Sequence, residues 1–119
     1  MSKFLTTTYG NRKEILKFPD HYVNMPVTVD DTGITVNADG KKIVPAGTIM
    51  GGGVIADPTK LAVKSNGENA EGVLFEDTDV TYGPAPGALT IHGFIDLAKL
   101  PETPVEAAIT ALKQITFIA

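Results

Sequence analysis

The chain has 119 residues, no cysteine and a formal net charge of −4. This length fits a single domain, and the lack of thiols excludes disulfides, thiolate zinc sites and cysteine nucleophiles. The acidic balance argues against nucleic acid as a partner, because such binding depends on neutralising phosphates, and no apolar stretch approaches the roughly 20 residues of a membrane span.

The first 25 residues have no regular hydrophobic period and carry a net charge of +2, whereas the remainder carries −6. Two prolines, Pro19 and Pro26, bias the residues before them toward extended backbone. We therefore predict an extended docking arm over residues 1–25, with a single helical turn over residues 11–17 as the alternative. Its candidate contact residues are apolar, aromatic or basic: Phe4, Leu5, Tyr9, Arg12, Lys13, Ile15, Leu16 and Phe18.

A folded domain is predicted over residues 26–119. Residues 27–29 and 34–36 alternate apolar and polar side chains around an Asp-Asp-Thr-Gly sequence, which favours a hairpin. Residues 37–40 end in Asp-Gly and predict a tight turn. Pro45-Ala46-Gly47 predicts another turn, of type II with Pro45 in its second position, although its class stays open because Ala46 separates the proline from the glycine.

Three consecutive glycines, Gly51 to Gly53, predict a bend, a bulge or a close backbone approach. With the next three residues they also match G-x-G-x-x-A, a dinucleotide-binding pattern that requires a helix to begin there at once. Asp57-Pro58 would interrupt that helix, so we favour the structural interpretation. Short strands follow at residues 61–63 and 72–75, and residues 88–96 form the longest predicted strand.

One helix is predicted near the end of the chain. Thr103 is placed as its N-cap, Pro104 as its first residue and Glu106 as the partner in a capping box. An apolar face at helical spacing follows, and residues 115–118 could form a final strand. The fold class is therefore α+β: a β-rich compact domain with one C-terminal helix and an extended N-terminal arm. The predicted apolar face comprises Val105, Ala108, Ile109, Leu112 and Ile115.

Few residues in the chain suggest chemistry. Glu76, Asp77 and Asp79 form the densest acidic cluster, but they lack the spacing of a calcium loop, so a solvated strand edge is favoured over a metal site. His21 and His92 lie 71 positions apart without a paired nucleophile motif. We predict no catalytic residue, no bound metal and no cofactor, and expect His92 to be a partly exposed packing or interface residue.

Three segments occur in a characteristic order: KIVPAGTIMG at residues 42–51, EGVLFEDTDVT at 71–81 and ALTIHGFIDLAKLP at 88–101. This ordered set resembles the lambda-like head decoration proteins of tailed bacteriophages. The resemblance implies a β-tulip-like fold and a non-enzymatic homotrimer. It also implies that residues 1–25 bind the major capsid protein, and that the protein stabilises the assembled shell from its outer surface.

From these features we expect a virion protein that is made in the host cytoplasm and binds neither nucleic acid nor membrane. Two alternatives stay open. One is a small β-rich enzyme or ligand-binding module that uses the glycine loop or the carboxylates near Asp77. The other is a different virion component, such as a tail or fibre domain.

Overall fold

The computed structural model describes residues 14–119, which form a strand-rich α+β domain with a mixed sheet and one short helix. The α-helix, α1, covers Glu106–Ala111, and a 3₁₀ turn covers Leu97–Lys99. The eight strands are β1 (Val23–Val29), β2 (Ile43–Val44), β3 (Ile49–Gly51), β4 (Leu61–Lys64), β5 (Gly72–Leu74), β6 (Thr78–Asp79), β7 (Ala85–Asp96) and β8 (Ile115–Ile118).

Five of the strands close into a ring. β1 pairs in parallel with β4, which pairs with β3, and β3 pairs with β5. β5 pairs with β7, and β7 returns to β1 along seven register positions. β8 extends the sheet as a parallel neighbour of the end of β7, while β2 and β6 form a separate two-stranded ribbon. Closing a sheet in this way leaves fewer exposed strand edges.

Two apolar clusters form the core. One gathers side chains from the ring strands, including Val29, Met50, Leu74 and Leu89, all fully or almost fully buried. The other joins the region around α1 to the far end of the sheet. Its buried members are Ile15, Leu16, Ala46, Ile49, Ala70, Val73, Ile95, Ala108, Leu112 and Ile115.

The predicted strands at residues 61–63, 72–75, 88–96 and 115–118 are confirmed, as β4, β5, β7 and β8. The predicted hairpin of residues 27–29 with 34–36 is wrong. β1 does form there, but its partners are β7 and β4, and residues 34–36 lie outside any strand. Burial explains the difference, because pairing with β7 and β4 leaves Val27 and Val29 in the core.

The helix begins later than predicted, and its capping box is wrong. Val105, not Thr103, is the N-cap residue, and its side chain makes no capping hydrogen bond. Asn66 satisfies the local backbone instead: its Nδ2 donates to the Thr103 carbonyl, and its Oδ1 accepts from the Val105 N–H, both at 3.0 Å. A side chain 39 residues away from Val105 thus replaces the local cap that the sequence pattern suggested.

The predicted apolar face of the helix is confirmed in part. Ala108, Leu112 and Ile115 are buried, although Ile115 lies in β8 and Leu112 is the helix C-cap. Val105 and Ile109 are 46% and 45% exposed. With six residues, α1 is too short to bury a face two turns long.

Both predicted turns before the glycine loop form. Asn37 accepts hydrogen bonds at its Oδ1 from the Asp39 and Lys41 N–H groups, and Gly40 has a φ of 75°. In the second turn the Thr48 N–H donates to the Pro45 carbonyl at 3.2 Å, so Pro45 is its first residue and not, as predicted, its second. Gly47 then occupies the third position with a φ of 89°, which is where a type II turn requires glycine.

Candidate interface

The end of the predicted arm belongs to the folded body. The Lys17 N–H donates to the Phe94 carbonyl, and the Asp96 N–H donates to the Ile15 carbonyl, both at 2.8 Å. Leu16 forms an antiparallel bridge with Ile95. Residues 15–17 thus lie along the edge of β7, joined to it by one isolated bridge and two flanking hydrogen bonds, and the buried side chains of Ile15 and Leu16 anchor them.

An aromatic surface follows directly after this anchor. The Phe18 ring meets the Phe94 ring edge to face at a centroid distance of 5.5 Å, and Tyr22 stacks on Phe75 at the same distance with 14° between ring planes. These geometries are the favourable ones for aromatic pairs. We call the surface the aromatic patch; its members are Phe18, His21, Tyr22, Phe75, His92 and Phe94.

The patch is held in place yet open to contact. Phe18 remains 50% exposed, Tyr22 42% and the neighbouring Val23 49%. Gly93 allows the segment around Tyr22 to approach β7 closely, since a Cβ at this position would lie only 3.2 Å from the Cβ of Tyr22. Its φ of 151° also disfavours other residues. Half-exposed aromatic side chains, such as Phe18 and Tyr22 in the segment before β1, are of the residue types that are enriched in protein–protein interfaces.

Two histidines meet inside the aromatic patch. The Nε2 atoms of His21 and His92 are 2.8 Å apart at an exposed position, and the rings are nearly perpendicular with centroids 4.8 Å apart. His21 also lies 6.5 Å from the Phe94 ring. The Nδ1 atom of His92 is buried and has no hydrogen-bond partner in the described part of the chain. No local sequence signal predicts this pair, because its members lie 71 residues apart.

The predicted contact residues fall into two groups. Phe4, Leu5, Tyr9, Arg12 and Lys13 lie outside the described residues. Of the remaining three, Ile15 and Leu16 are core residues of this chain, and only Phe18 presents an exposed side chain. Part of the signal for the patch was available, since His92 and Phe94 lie two residues apart in the predicted strand. Nothing local indicates that residues 18–22 pack against them.

In the acidic cluster, the carboxylates of Asp77 and Asp79 accept hydrogen bonds within the fold, whereas the sequence predicted a solvated strand edge. Asp77 Oδ1 accepts a hydrogen bond from the Ala46 N–H at 2.7 Å, and Asp79 Oδ1 accepts from both the hydroxyl and the N–H of Thr81. Hydrogen bonds from Thr81 hold the pKa of Asp79 below its usual value. The bond from the Thr81 hydroxyl has the larger effect and the bond from the Thr81 N–H the smaller one. Within residues 14–119, no three His, Asp or Glu side chains gather as metal ligands would.

A carboxylate of the chain itself occupies the glycine loop. Glu71 accepts hydrogen bonds from the N–H groups of Gly53, Val54 and Ile55 at 2.5, 2.9 and 3.1 Å. These successive N–H groups form the kind of anion-binding concavity in which a dinucleotide pyrophosphate would sit. Because the Glu71 carboxylate already accepts hydrogen bonds from these N–H groups, they stabilise the fold by linking the glycine loop to Glu71. The expected close backbone approach is confirmed, since a Cβ on Gly52 would lie 2.6 Å from the Leu61 carbonyl oxygen.

A cleft of about 400 Å³ lies between the loop after β1 and strands β2 to β4. Apolar side chains such as Ile34 and Val63 line it together with Asp30 and Thr32. At its rim, Lys64 and Glu102 form a salt bridge at 3.0 Å between two exposed side chains. The Lys64 ammonium, with help from Asn66, lowers the pKa of Glu102.

The three ordered sequence segments meet at one point in the fold. The Gly47 N–H donates to the Leu74 carbonyl at 2.8 Å, and Asp77 holds the Ala46 N–H. A Cβ on Gly47 would lie 2.9 Å from Cδ of Pro101. The turn of the first segment is thus held by residues of the second and packs against the end of the third.

No family model and no curated protein sequence matches this chain. In the described residues no helix is long and apolar enough to cross a bilayer.

Proposed function

We propose that this protein is a structural, non-enzymatic component that binds the outside of an assembled bacteriophage capsid and stabilises it, as a head decoration protein of the lambda-like group. The observation that carries the proposal is the aromatic patch, in which Phe18 is 50% and Tyr22 42% exposed while their rings contact Phe94 and Phe75. A rigid, half-exposed aromatic surface suits docking onto another protein more than it suits chemistry.

The meeting of the three ordered segments around Gly47 supports the resemblance at the level of fold. Residues that otherwise look like unrelated turns act together: Asp77 and Leu74 hold the turn, and Pro101 packs on it. The homotrimer and the place on the outer capsid surface come from the resemblance and belong to this proposal.

The burial of Ile15 and Leu16 changes which residues are proposed to bind the major capsid protein. We assign that role to residues 1–13 together with the exposed side chains of the aromatic patch. An added strand can gain affinity through main-chain hydrogen bonds while alternate side chains fill pockets. Repetition over a shell then multiplies modest contacts into a stable coat.

Co-sedimentation with capsids of a matching phage tests the proposal. We expect the full chain to bind and to raise the temperature at which the capsids disrupt. Replacing Phe18 and Tyr22 together by alanine should weaken binding about tenfold or more, since aromatic hot spots contribute more than about 1.4 kcal/mol. Deleting residues 1–13 should weaken it further while the circular dichroism spectrum stays folded.

Tyr82→Ala is the matched control. Tyr82 is fully exposed in the turn before β7 and belongs to none of the ring contacts of the patch. It should bind like the unmodified chain. Unchanged binding by both the Phe18/Tyr22 variant and the truncated chain would contradict the proposal.

The cleft between β2, β3 and the loop after β1 favours a second candidate, a ligand-binding module. Its volume of about 400 Å³ falls within the range of small-molecule sites. This candidate predicts that a small-molecule library yields ligands whose binding is lost on replacing Val63 by arginine, with no effect of the Phe18 and Tyr22 substitutions. Tail and fibre domains stay open as a third class, which binding to tails but not to heads would favour.

A further inference from the structure

We propose that His21 and His92 form a two-histidine site for a divalent transition metal of the Ni²⁺ or Cu²⁺ type. Imidazole nitrogens are preferred ligands of these ions. The proposal is independent of the capsid-binding role, because it rests only on the geometry of the histidine pair.

The two ring nitrogens converge at an accessible point. Their Nε2 atoms are 2.8 Å apart and exposed, while the other nitrogen of His92 is buried. Nε2 is therefore the nitrogen of His92 that is available to a metal, and it lies beside Nε2 of the exposed His21. Water can complete the coordination shell there, as in sites that keep open positions.

The distance between the two Nε2 atoms can be compared with the ligand spacing in different coordination geometries. With metal–nitrogen bonds of about 2.0–2.1 Å, two nitrogens in neighbouring positions of a square-planar or octahedral shell lie about 2.8–3.0 Å apart. A tetrahedral shell would hold them about 3.3–3.4 Å apart at the same bond lengths. The 2.8 Å between the rings is a hydrogen-bond distance, and it already lies close to the spacing of two adjacent ligands in the tetragonal shells of Cu²⁺ and Ni²⁺, so little movement is needed for these ions to bind.

The proton between the rings must leave for the metal to bind. A hydrogen bond between two Nε2 atoms uses one N–H and one lone pair. In the tautomer in which His21 donates, His92 already carries its proton on Nδ1. His21 is exposed, so solvent can carry its proton from Nε2 to Nδ1, which frees both Nε2 lone pairs without a net loss of protons.

Neighbouring residues hold the pair in position before any metal arrives. His92 is fixed within β7, and the His21 ring packs against the His92 ring and lies near Phe94. The adjacent Tyr22 is stacked on Phe75. A bound ion would therefore cross-link the segment after residue 17 to β7.

The chain offers an unusually clean background for the test, because these are its only two histidines and it has no cysteine. Full-length protein is titrated with Cu²⁺ and with Ni²⁺ by calorimetry, and the Cu²⁺ complex is examined by electron paramagnetic resonance. We expect one ion per chain and coupling of the Cu²⁺ signal to two imidazole nitrogens. An excess of Ni²⁺ should also raise the melting temperature, since binding to the native state alone stabilises it.

His21→Gln and His92→Gln provide the matched variants. Each should lower affinity about tenfold or more, lose one nitrogen from the spectrum and abolish the Ni²⁺-dependent rise in melting temperature. Because His21 is exposed, His21→Gln should fold normally even if His92→Gln does not. The proposal is overturned if His21→Gln binds either ion as tightly as the unmodified chain, or if the unmodified Cu²⁺ complex couples to fewer than two imidazole nitrogens.

Discussion

At the scale of single residues, three Asp-x-Thr triplets repeat the same local device. Asp30, Asp57 and Asp79 each accept hydrogen bonds at Oδ1 from the hydroxyl and the N–H of the threonine two positions later. Such side-chain turns satisfy backbone donors in loops where no strand partner is available. Hydrogen bonding to the threonine holds the pKa of all three carboxyls below the usual value.

This device predicts an acid-sensitive contribution to stability. A carboxyl whose pKa is lower in the folded state stabilises that state above its unfolded pKa of about 4, and the contribution is lost as pH falls through the folded pKa. We therefore expect the melting temperature to fall as pH is lowered below about 4. Thr59→Val removes the hydroxyl, which is the largest cause of the shift at Asp57. It should raise the pKa of Asp57, measured by NMR titration, and leave that of Asp30 unchanged.

A second residue-scale prediction concerns Gly47. Its φ of 89° disfavours a side chain, and a Cβ would also lie 2.9 Å from Pro101 and 3.0 Å from Leu100. Gly40 has a similar φ of 75° but open space around it. Gly40→Ala should therefore cost only the backbone term, about 1–2 kcal/mol, and Gly47→Ala clearly more. Equal decreases in the free energy of unfolding, measured by urea denaturation, would mean that Leu100 and Pro101 can move away from the new Cβ without strain.

At the scale of elements, α1 contributes through the residues at its C-terminal end. Leu112 is 4% exposed and lies in the same cluster as Ile15 and Ile95, whereas Ile109, one turn earlier, is 45% exposed. Leu112→Ala should lower the free energy of unfolding by about 2–5 kcal/mol. Ile109→Ala, the matched control, should lower it by less than about 1 kcal/mol unless a subunit contact covers Ile109. Comparable effects of both substitutions on the monomer would contradict this assignment of the core face.

At this scale the sequence predicted an element correctly when the residues that determine it lie close together in the chain. Short, mainly apolar segments flanked by polar or turn-forming residues located β4, β5, β7 and β8 correctly, because those signals lie in or next to the strands. The hairpin after Val29 and the cap at Thr103 were wrong, because β7 and Asn66, both distant along the chain, supply the real partners. The histidine pair was missed for the same reason: 71 residues separate its members.

At the scale of the whole molecule, β7 is the shared element. Its first part closes the strand ring with β1 and β5, and its last part carries β8 on one edge and residues 15–17 on the other. The two apolar clusters therefore share one continuous strand. A change at the aromatic patch acts on the part of β7 that also borders the helix cluster, which is why folding must be monitored in every test of the patch.

The two ends of the described chain, residues 15–17 and β8, lie on opposite edges of β7. This arrangement suggests a way to re-engineer the protein. Ile15 and Ile118 lie on opposite sides of Asp96, which places them about two strand spacings, roughly 10 Å, apart. A short linker that replaces residues 1–14 could join these two positions, and new termini could be opened at the fully exposed Tyr82 without breaking a strand. Such a circular permutant would carry a fused cargo on the turn before β7 and would keep the aromatic patch without the proposed capsid-binding residues 1–13.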